Sequence, residues 1–194
     1  ISMRHADQPE QLVSLADFER RMGNRDEARI HYQKAISKNK QLLAAYINLA
    51  DLDHAMGANQ QAIKVLKEGL NAIPNQVDLA HALGLALIRD QRPAEALPWL
   101  KRAAKASNPR YQYVYAIALH DQQEPLQAIA VLQDLVSQWP NEEDALMALT
   151  HYLASLNRFA EAATWATKLT EIAPSNRQYA RWQQQLSARA RALQ

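Results

Sequence analysis

Large apolar, small and polar positions follow one another in the same order five times along the chain. Ala and Leu dominate the apolar positions, only 4 Gly occur, and β-branched residues are too few and too scattered for alternating strands. This pattern favours helix, so we predict an all-α fold built from pairs of helices. The first helices of the pairs are predicted over 9–22, 42–56, 76–90, 109–122 and 142–156, and the second helices over 25–38, 59–72, 93–106, 125–138 and 159–172.

Small residues recur at fixed positions in this pattern. Alanine occupies five equivalent positions, at steps of 34, 34, 32 and 34 residues: Ala28, Ala62, Ala96, Ala128 and Ala162. A second small residue lies twelve residues before each of these alanines, in the preceding helix, and a large apolar residue stands directly before it. These pairs are Leu15-Ala16, Leu49-Ala50, Leu83-Gly84, Tyr115-Ala116 and Leu149-Thr150. Antiparallel helices need small residues where their backbones cross and larger ones beside the crossing. One hairpin leaves an apolar side exposed, so neighbouring hairpins are expected to stack.

The period, the small positions and the prolines Pro74, Pro140 and Pro174 together resemble the tetratricopeptide repeat family. The resemblance implies a right-handed superhelical solenoid of about five helix-turn-helix hairpins with a C-terminal capping helix. The repeats are predicted over 9–42, 43–76, 77–108, 109–142 and 143–174, and the C-terminal capping helix over 175–194. Tyr179, Trp182 and Leu186 share one face of this helix and are expected to close the last hairpin. Residues 1–8 are predicted to be a disordered or cloning-derived N-terminus.

Three features depart from the regular repeat. The step of 32 residues predicts a loop between the third and fourth hairpins that is two residues shorter than the others. Pro98 falls inside a predicted helix and should bend it locally. Glu19, Arg20 and Arg21 put charge at the end of the first helix, where the last three repeats carry Leu in place of Glu19. The first hairpin is therefore either a cap or a surface that meets further sequence, and we favour a cap.

The resemblance also implies where a partner binds, because the first helices of this family line a concave groove. The capping helix is expected to add Arg181 and Gln185. The Lys and Asn clamp with which some family members capture acidic chaperone tails is absent, since Val13 and Ile47 stand in its place. Transferred position by position, the groove residues expected for a partner are Asp17, Arg20, Ile47, Asp51, His54, His81, Leu85, Arg89, Arg110, Tyr113, Ile117, His120, Met147 and His151.

Two groups of side chains in this set have alternative interpretations. The four histidines could form a metal site or a pH switch, or they could simply be polar groove residues. No histidine pair has the i, i+4 spacing of a ligand set, so we expect no metal. Tyr111, Tyr113 and Tyr115 could be core and local packing, or Tyr113 could point to the groove and anchor a partner side chain.

Composition excludes several classes of function. The net charge of +2 arises from 22 basic and 20 acidic residues mixed along the chain, so nucleic acid is not an expected partner. The absence of Cys excludes thiolate chemistry, and no glycine-rich phosphate loop or hydrolase motif occurs. The sequence contains no run of 18 apolar residues, so it predicts no membrane span. We therefore expect no enzymatic activity and no cofactor.

The sequence leaves two functions open. The first is a scaffold that binds a peptide or protein segment in the groove, and the second is a structural spacer or self-association module. The stretch NPRYQYVYAIALHD also resembles bacterial proteins in which such repeats follow a multihaem cytochrome region. That resemblance implies a periplasmic, redox-linked assembly, although the chain has no C-x-x-C-H motif of its own. Whether the protein works in the bacterial periplasm or the cytoplasm stays open.

Overall fold

The structure is a computed structural model that describes residues 8–193. Within this range every element of regular secondary structure is a helix, and none of these helices is long and apolar enough to cross a membrane. The helices are α1 (Pro9–Met22), α2 (Arg25–Lys38), α3 (Leu43–Ala55), α4 (Asn59–Ala72), α5 (Val77–Arg89), α6 (Pro93–Ala103), α7 (Pro109–Asp121), α8 (Pro125–Gln138), α9 (Glu143–Ser155), α10 (Phe159–Ile172) and α11 (Arg177–Ala192). The all-α prediction of about five hairpins and a final helix is confirmed. The predicted N-terminus 1–8 lies outside the described residues, apart from Gln8.

The sequence predicts every hairpin helix to within one residue at each end, except α6. This helix ends at Ala103 instead of 106 and has 11 residues, whereas α4 and α8 have 14 each. The segment that follows, 104–108, has five residues, one more than the connection 73–76. The 32-residue step therefore comes from a shorter helix, and the prediction of a shorter loop was wrong. Asn108 is extended because it precedes Pro109, and its side chain accepts a hydrogen bond from the Arg110 amide.

Helices α1–α6 form one compact unit, which we call the N-terminal unit. The two helices of each hairpin, α1/α2, α3/α4 and α5/α6, make the most extensive contacts, and within this unit α2 also packs on α3 and α4 on α5. Small residues lie at the crossings: Ala28, Ala62 and Ala96 are at most 1% exposed. A Cβ on Gly84 would overlap Leu100 Cδ2 and lie 2.6 Å from Leu100 Cγ, so only glycine fits at this crossing.

Helices α7–α11 form a second compact unit, the C-terminal unit. It contains the hairpins α7/α8 and α9/α10, and α11 packs along α10. The buried hydroxyl of Thr150 donates a 2.8 Å hydrogen bond to the Leu146 carbonyl, so this polar residue is satisfied within its own helix. Tyr179 and Leu186 are the buried residues of α11. They close the last hairpin, as expected of a terminal helix.

The turn inside each hairpin has the same backbone conformation in all five repeats. One residue adopts a positive φ: Gly23 (88°), Gly57 (78°), Gln91 (59°), Gln123 (64°) and Asn157 (59°). The amide of the next residue then bonds back to the first helix, as in the 2.9 Å contact from Arg92 N to Leu87 O. Only two of the five positions carry glycine, so three repeats hold a left-handed residue with a side chain.

The outer face of α1, formed by Leu15, Phe18 and Met22, is exposed. These residues follow one another at helical spacing, and they are 39%, 52% and 63% exposed. The equivalents of Leu15 in the next two repeats, Leu49 and Leu83, are buried against the preceding hairpin. A capping helix usually presents a polar outer face, whereas α1 carries three apolar residues there, and the cap at this end stays a prediction.

Candidate functional site

A cavity of about 620 Å³ lies within the C-terminal unit. Three helices of this unit, α7, α9 and α11, contribute its walls. We call it the C-terminal cavity; its lining residues are Tyr113 and Ile117 from α7, Asp144, Met147, Ala148, His151 and Tyr152 from α9, and Gln178, Tyr179, Arg181, Trp182 and Gln185 from α11. Its size falls within the range of pockets that hold small ligands or peptide side chains.

The helical repeat explains how each wall is made. Residues three, four or seven apart lie on one face of a helix, and each wall uses one such set. Tyr113 and Ile117 are four apart on α7, whereas Asp144, Met147 and His151 follow at steps of three and four on α9. Because α10 packs against both α9 and α11, it holds these two helices in place beside each other.

Tyr179 fixes the α11 wall against α9. Its hydroxyl donates a hydrogen bond to the Glu143 carboxylate, and its oxygen lies 3.2 Å from Met147 Sδ. The pKa of the Tyr179 phenol is raised to about 12, first by this hydrogen bond, then by burial and by the charges of Glu143 and Asp144. The phenol therefore stays protonated at neutral pH and keeps the two helices joined.

An aromatic stack lies beside the α7 and α9 walls. The rings of His120 and Tyr152 are parallel to within 2° with centroids 3.7 Å apart, and His151 is tilted against Tyr152 at 6.1 Å. Burial raises the pKa of Tyr152 to about 12, with smaller contributions from Asp121 and Tyr113. Burial also raises the pKa of Tyr113, and the Asp144 carboxylate adds to this effect. Both phenols are therefore neutral hydrogen-bonding groups at the edge of the cavity.

The predicted groove residues of the C-terminal unit are partly brought together. Tyr113, Ile117, Met147 and His151 line the cavity, and the expected contributions of Arg181 and Gln185 from the last helix are also there. Arg110 is exposed in the first turn of α7, and His120 stacks on Tyr152 without lining the cavity.

Tyr179 and Trp182 line the cavity, and the sequence analysis did not predict this role. Both residues share one apolar face with Leu186, which the sequence analysis assigns entirely to closing the last hairpin. Trp182 is only half buried in the structure, and its four-residue spacing from Gln178 places both on the cavity side. The four-residue spacing from Gln178 to Trp182 was the feature of the sequence that could have indicated a role for Trp182 in the cavity.

The predicted groove residues of the N-terminal unit are more scattered. Asp17 accepts hydrogen bonds from the Tyr32 hydroxyl and from Asn48 Nδ2 at 3.0 Å, and Arg20 lies 3.9 Å away. This polar cluster joins α1, α2 and α3, so its contacts are structural. Ile47 and Leu85 are half buried, and the exposed Arg89 and Asp51 form a 3.9 Å ion pair.

The histidines in the predicted groove do not share one environment. His81 is only 7% exposed, so the structure buries most of this predicted groove residue. It belongs to a helix that packs on α3, α4 and α6, which together cover most of its surface. His54 Nδ1 lies 2.7 Å from Asn59 Oδ1. Among residues 8–193, no group of three or more His, Asp or Glu side chains is placed to hold a metal ion.

A second cavity, of about 750 Å³, lies in the N-terminal unit between α2 and α4 and above α3. None of the predicted groove residues lines it. At one end Arg29 donates hydrogen bonds to Asp53 Oδ1 from Nε at 2.8 Å and from an Nη nitrogen at 2.5 Å, and the Asp53 carboxylate is almost wholly buried. The sequence pattern did not indicate this cavity, because the second helices present mixed polar residues there.

Comparison with known proteins identifies the repeat. Family models described as tetratricopeptide repeat match residues 19–87, 81–143 and 113–177. No curated protein sequence is a significant match. Among solved structures, YrrB, described as "a TPR protein with an unusual peptide-binding site", is 18% identical, with a TM-score of 0.70 over 91% of this chain and 92% of YrrB.

Two further solved structures have the same fold. MamA from Desulfovibrio magneticus RS-1 is 20% identical, with a TM-score of 0.73 over 88% of this chain and 97% of the MamA chain. PilF of Pseudomonas aeruginosa is 15% identical, with a TM-score of 0.73 over 93% of this chain and 83% of PilF. At these identities the similarity establishes the fold alone.

Proposed function

The chain belongs to the tetratricopeptide repeat family, and from this premise we propose that it holds a peptide or protein segment in the C-terminal cavity. Proteins of this family generally act as interaction scaffolds and not as enzymes. The first helices of such repeats present the side chains that a partner reaches, and α7 and α9 are two of them. YrrB, which shares the fold, is described as having a peptide-binding site, and this makes the same class of ligand reasonable to test here.

The observation that carries the proposal is the composition of the C-terminal cavity. Tyr113 from α7 and Trp182 from α11 offer large aromatic surfaces, and Met147 from α9 lines the same cavity. Tyr and Trp are the residues that most often dominate binding energy, because they bury a large area with few rotatable bonds. The Tyr179 hydrogen bond holds the walls in place, which reduces the entropy lost on binding.

Selection from a displayed library of random peptides tests this proposal. Selected peptides would be measured by isothermal titration calorimetry against the wild-type chain and a Tyr113→Ala variant. We expect Tyr113→Ala to weaken binding by about tenfold or more, as for a central aromatic contact. Circular dichroism would confirm that the variant keeps its helical content.

Trp165→Ala is the matched control, because Trp165 of α10 lies in a separate depression with Val136 and Pro140. It also removes a half-buried aromatic side chain from the C-terminal unit, but it does so outside the C-terminal cavity. The proposal fails if the selected peptides bind wild type and Tyr113→Ala equally, or if Trp165→Ala weakens them as much.

The outer face of α1 supports a second candidate function, which is self-association. Phe18 and Met22 are more than half exposed, although later repeats bury the side chain at the position of Phe18, and Ile30 of α2 is 60% exposed. A second copy could cover this apolar surface through its own α1, in a two-fold symmetric contact.

Sedimentation equilibrium over a range of protein concentrations tests whether the chain self-associates. Self-association predicts a mass that rises with concentration for wild type and falls to the monomer value for Phe18→Ser, Met22→Ser. Leu126→Ser serves as the control, because Leu126 is a 65% exposed apolar residue of α8, far along the chain from α1. A wild-type chain that stays monomeric at high concentration excludes this candidate.

A further inference from the structure

The walls of the C-terminal cavity differ in charge. Asp144 lies on the α9 wall, next to Glu143 in the sequence. The α11 wall belongs to a helix with four arginines and no acidic residue, and one of these arginines, Arg181, lines the cavity. Within the described residues, neither Asp144 nor Arg181 forms an ion pair. The cavity therefore offers one carboxylate and one guanidinium that are both available to a ligand.

Asp144 has aromatic neighbours. Its charge contributes to the raised pKa of both Tyr113 and Tyr179, after burial for Tyr113 and after the Glu143 hydrogen bond and burial for Tyr179. Asp144, Tyr113 and Tyr179 all line the same cavity. Glu143 already accepts the Tyr179 hydrogen bond, so Asp144 is the acidic group left for a ligand. Aromatic rings beside a carboxylate suit a basic side chain, which gains both an ion pair and cation–π contacts.

Arg181 offers the complementary group on the α11 wall. It is exposed, and Gln178, Trp182 and Gln185 lie on the same side of the helix. Arg189, by contrast, lies 5.4 Å above the Phe159 ring and has an intramolecular role. A planar guanidinium beside amide side chains binds a carboxylate in a directional way.

We propose that the C-terminal cavity selects a partner segment with one basic and one acidic side chain flanking an apolar residue. The basic side chain lies at Asp144, the acidic one at Arg181, and the apolar residue contacts Met147. A segment whose charges are all of one sign would place a like charge against either Asp144 or Arg181. That residue would then lack an opposite charge from the partner, which lowers affinity. The two charges thus fix the direction in which the segment lies. This inference rests on the proposed function of the cavity.

Double-mutant cycles with peptides selected from the random library test the inference. The first cycle combines Asp144→Asn with replacement of the basic residue of the peptide by norleucine, and the second combines Arg181→Gln with Glu→Gln in the peptide. We expect each single change to weaken binding about fivefold, as for a partly exposed charge pair. Within one cycle the second change should add little, whereas changes from different cycles should multiply. Arg191→Gln, on the same helix but outside the lining, should leave affinity unchanged.

The outcomes separate the two levels of the proposal. Peptides that lose binding on Tyr113→Ala but show no coupling to Asp144 or Arg181 overturn the charge selection and leave the proposed function intact. Selected peptides that carry charge of only one sign also overturn it. If binding does not depend on Tyr113 at all, the proposed function fails first. Coupling within both cycles supports the inference.

Discussion

The hydroxyl of Tyr179 in α11 donates a hydrogen bond to the carboxylate of Glu143, which begins α9. The two residues are 36 positions apart, so this bond joins the last helix directly to the first helix of the hairpin before it. It lies at one end of the C-terminal cavity, whose walls include both helices. The stability of the cavity and that of the final helix are therefore linked through one phenol.

Tyr179→Phe keeps the ring and removes only the hydroxyl. We expect the free energy of unfolding to fall by about 1 kcal/mol, because Glu143 is exposed enough to regain water when its donor is lost. Urea denaturation followed by circular dichroism measures the change. Tyr152→Phe is the control, since no carboxylate accepts a hydrogen bond from Tyr152 within residues 8–193, and its effect should be smaller. Equal losses would show that the hydrogen bond to Glu143 contributes nothing.

Raised tyrosine pKa values predict a loss of stability in alkali. The pKa values of Tyr152 and Tyr179 are about 12 in the folded chain, against an ordinary value of 10.0. Between these values the unfolded chain loses phenolic protons that the folded chain keeps, so stability falls as pH rises. Below pH 10 the two groups have no such effect.

Urea midpoints measured from pH 9 to pH 12 test this pH dependence. Replacing Tyr152 by Phe should reduce the slope of unfolding free energy against pH by about one proton per molecule. An unchanged slope would contradict the assignment of a raised pKa to Tyr152.

Gly84→Ala should destabilise the N-terminal unit. The added methyl group would overlap Leu100, which is fully buried. We expect a loss of about 1–3 kcal/mol in unfolding free energy, typical of overpacking. The double change Gly84→Ala, Leu100→Ala should cost less than the sum of the two single changes, since Leu100→Ala removes the clash and the added methyl group fills part of the cavity that it leaves. Strict additivity in urea denaturation would show that the two residues do not touch.

The ion pair between Arg29 and Asp53 should matter more to stability than the exposed ion pairs. Arg29→Met leaves the Asp53 carboxylate buried without its partner, and the side chain of Asp53 is only 3% exposed. We expect a loss of about 3 kcal/mol, at the low end for buried pairs because the Arg29 side chain is 29% exposed. Arg29→Met combined with Asp53→Leu should recover part of the loss. Arg89→Met, which breaks the exposed 3.9 Å contact to Asp51, is the control and should change stability little.

The left-handed turn positions provide a reciprocal test of backbone strain. Gln91→Gly should stabilise the chain by about 0.5–1 kcal/mol, because glycine adopts a positive φ without steric cost. Gly57→Gln should destabilise it by a similar amount, and no neighbouring atom lies within 4 Å of a Cβ at this position. The change therefore reports on the backbone and not on packing. Thermal unfolding of both variants measures the effect, and shifts of the same sign would contradict it.

The fold could be predicted closely because few residue types are small enough to stand where two helices cross. Ala28 and its four equivalents mark helix crossings where a larger side chain would not fit, so their spacing determines the helix bounds. The exception, α6, depends on the backbone preference of Asn108 before Pro109 and on how a two-residue deletion is divided between helix and connection. Residue spacing alone does not specify that division.

The candidate site could be predicted only in part. Tyr113 and Met147 were identified because their repeat positions determine which way a first-helix side chain points. The burial of His81 was not predicted, because burial depends on how tightly neighbouring helices cover a position, which the repeat position does not reveal. Tyr179 was assigned only to closing the last hairpin, although its hydroxyl also fixes a cavity wall. The unit 104–194 thus contains the better defined site.

The apolar outer face of α1 also has a consequence for protein engineering. Leu15 and Phe18 follow the interior pattern of the repeats and are already shaped to receive a hairpin. A duplicated copy of the α3/α4 hairpin, fused before α1, would therefore pack on the apolar outer face of α1 without redesign of the existing helices. Arrays of this kind can grow by tandem duplication when a terminal repeat keeps such an interior pattern.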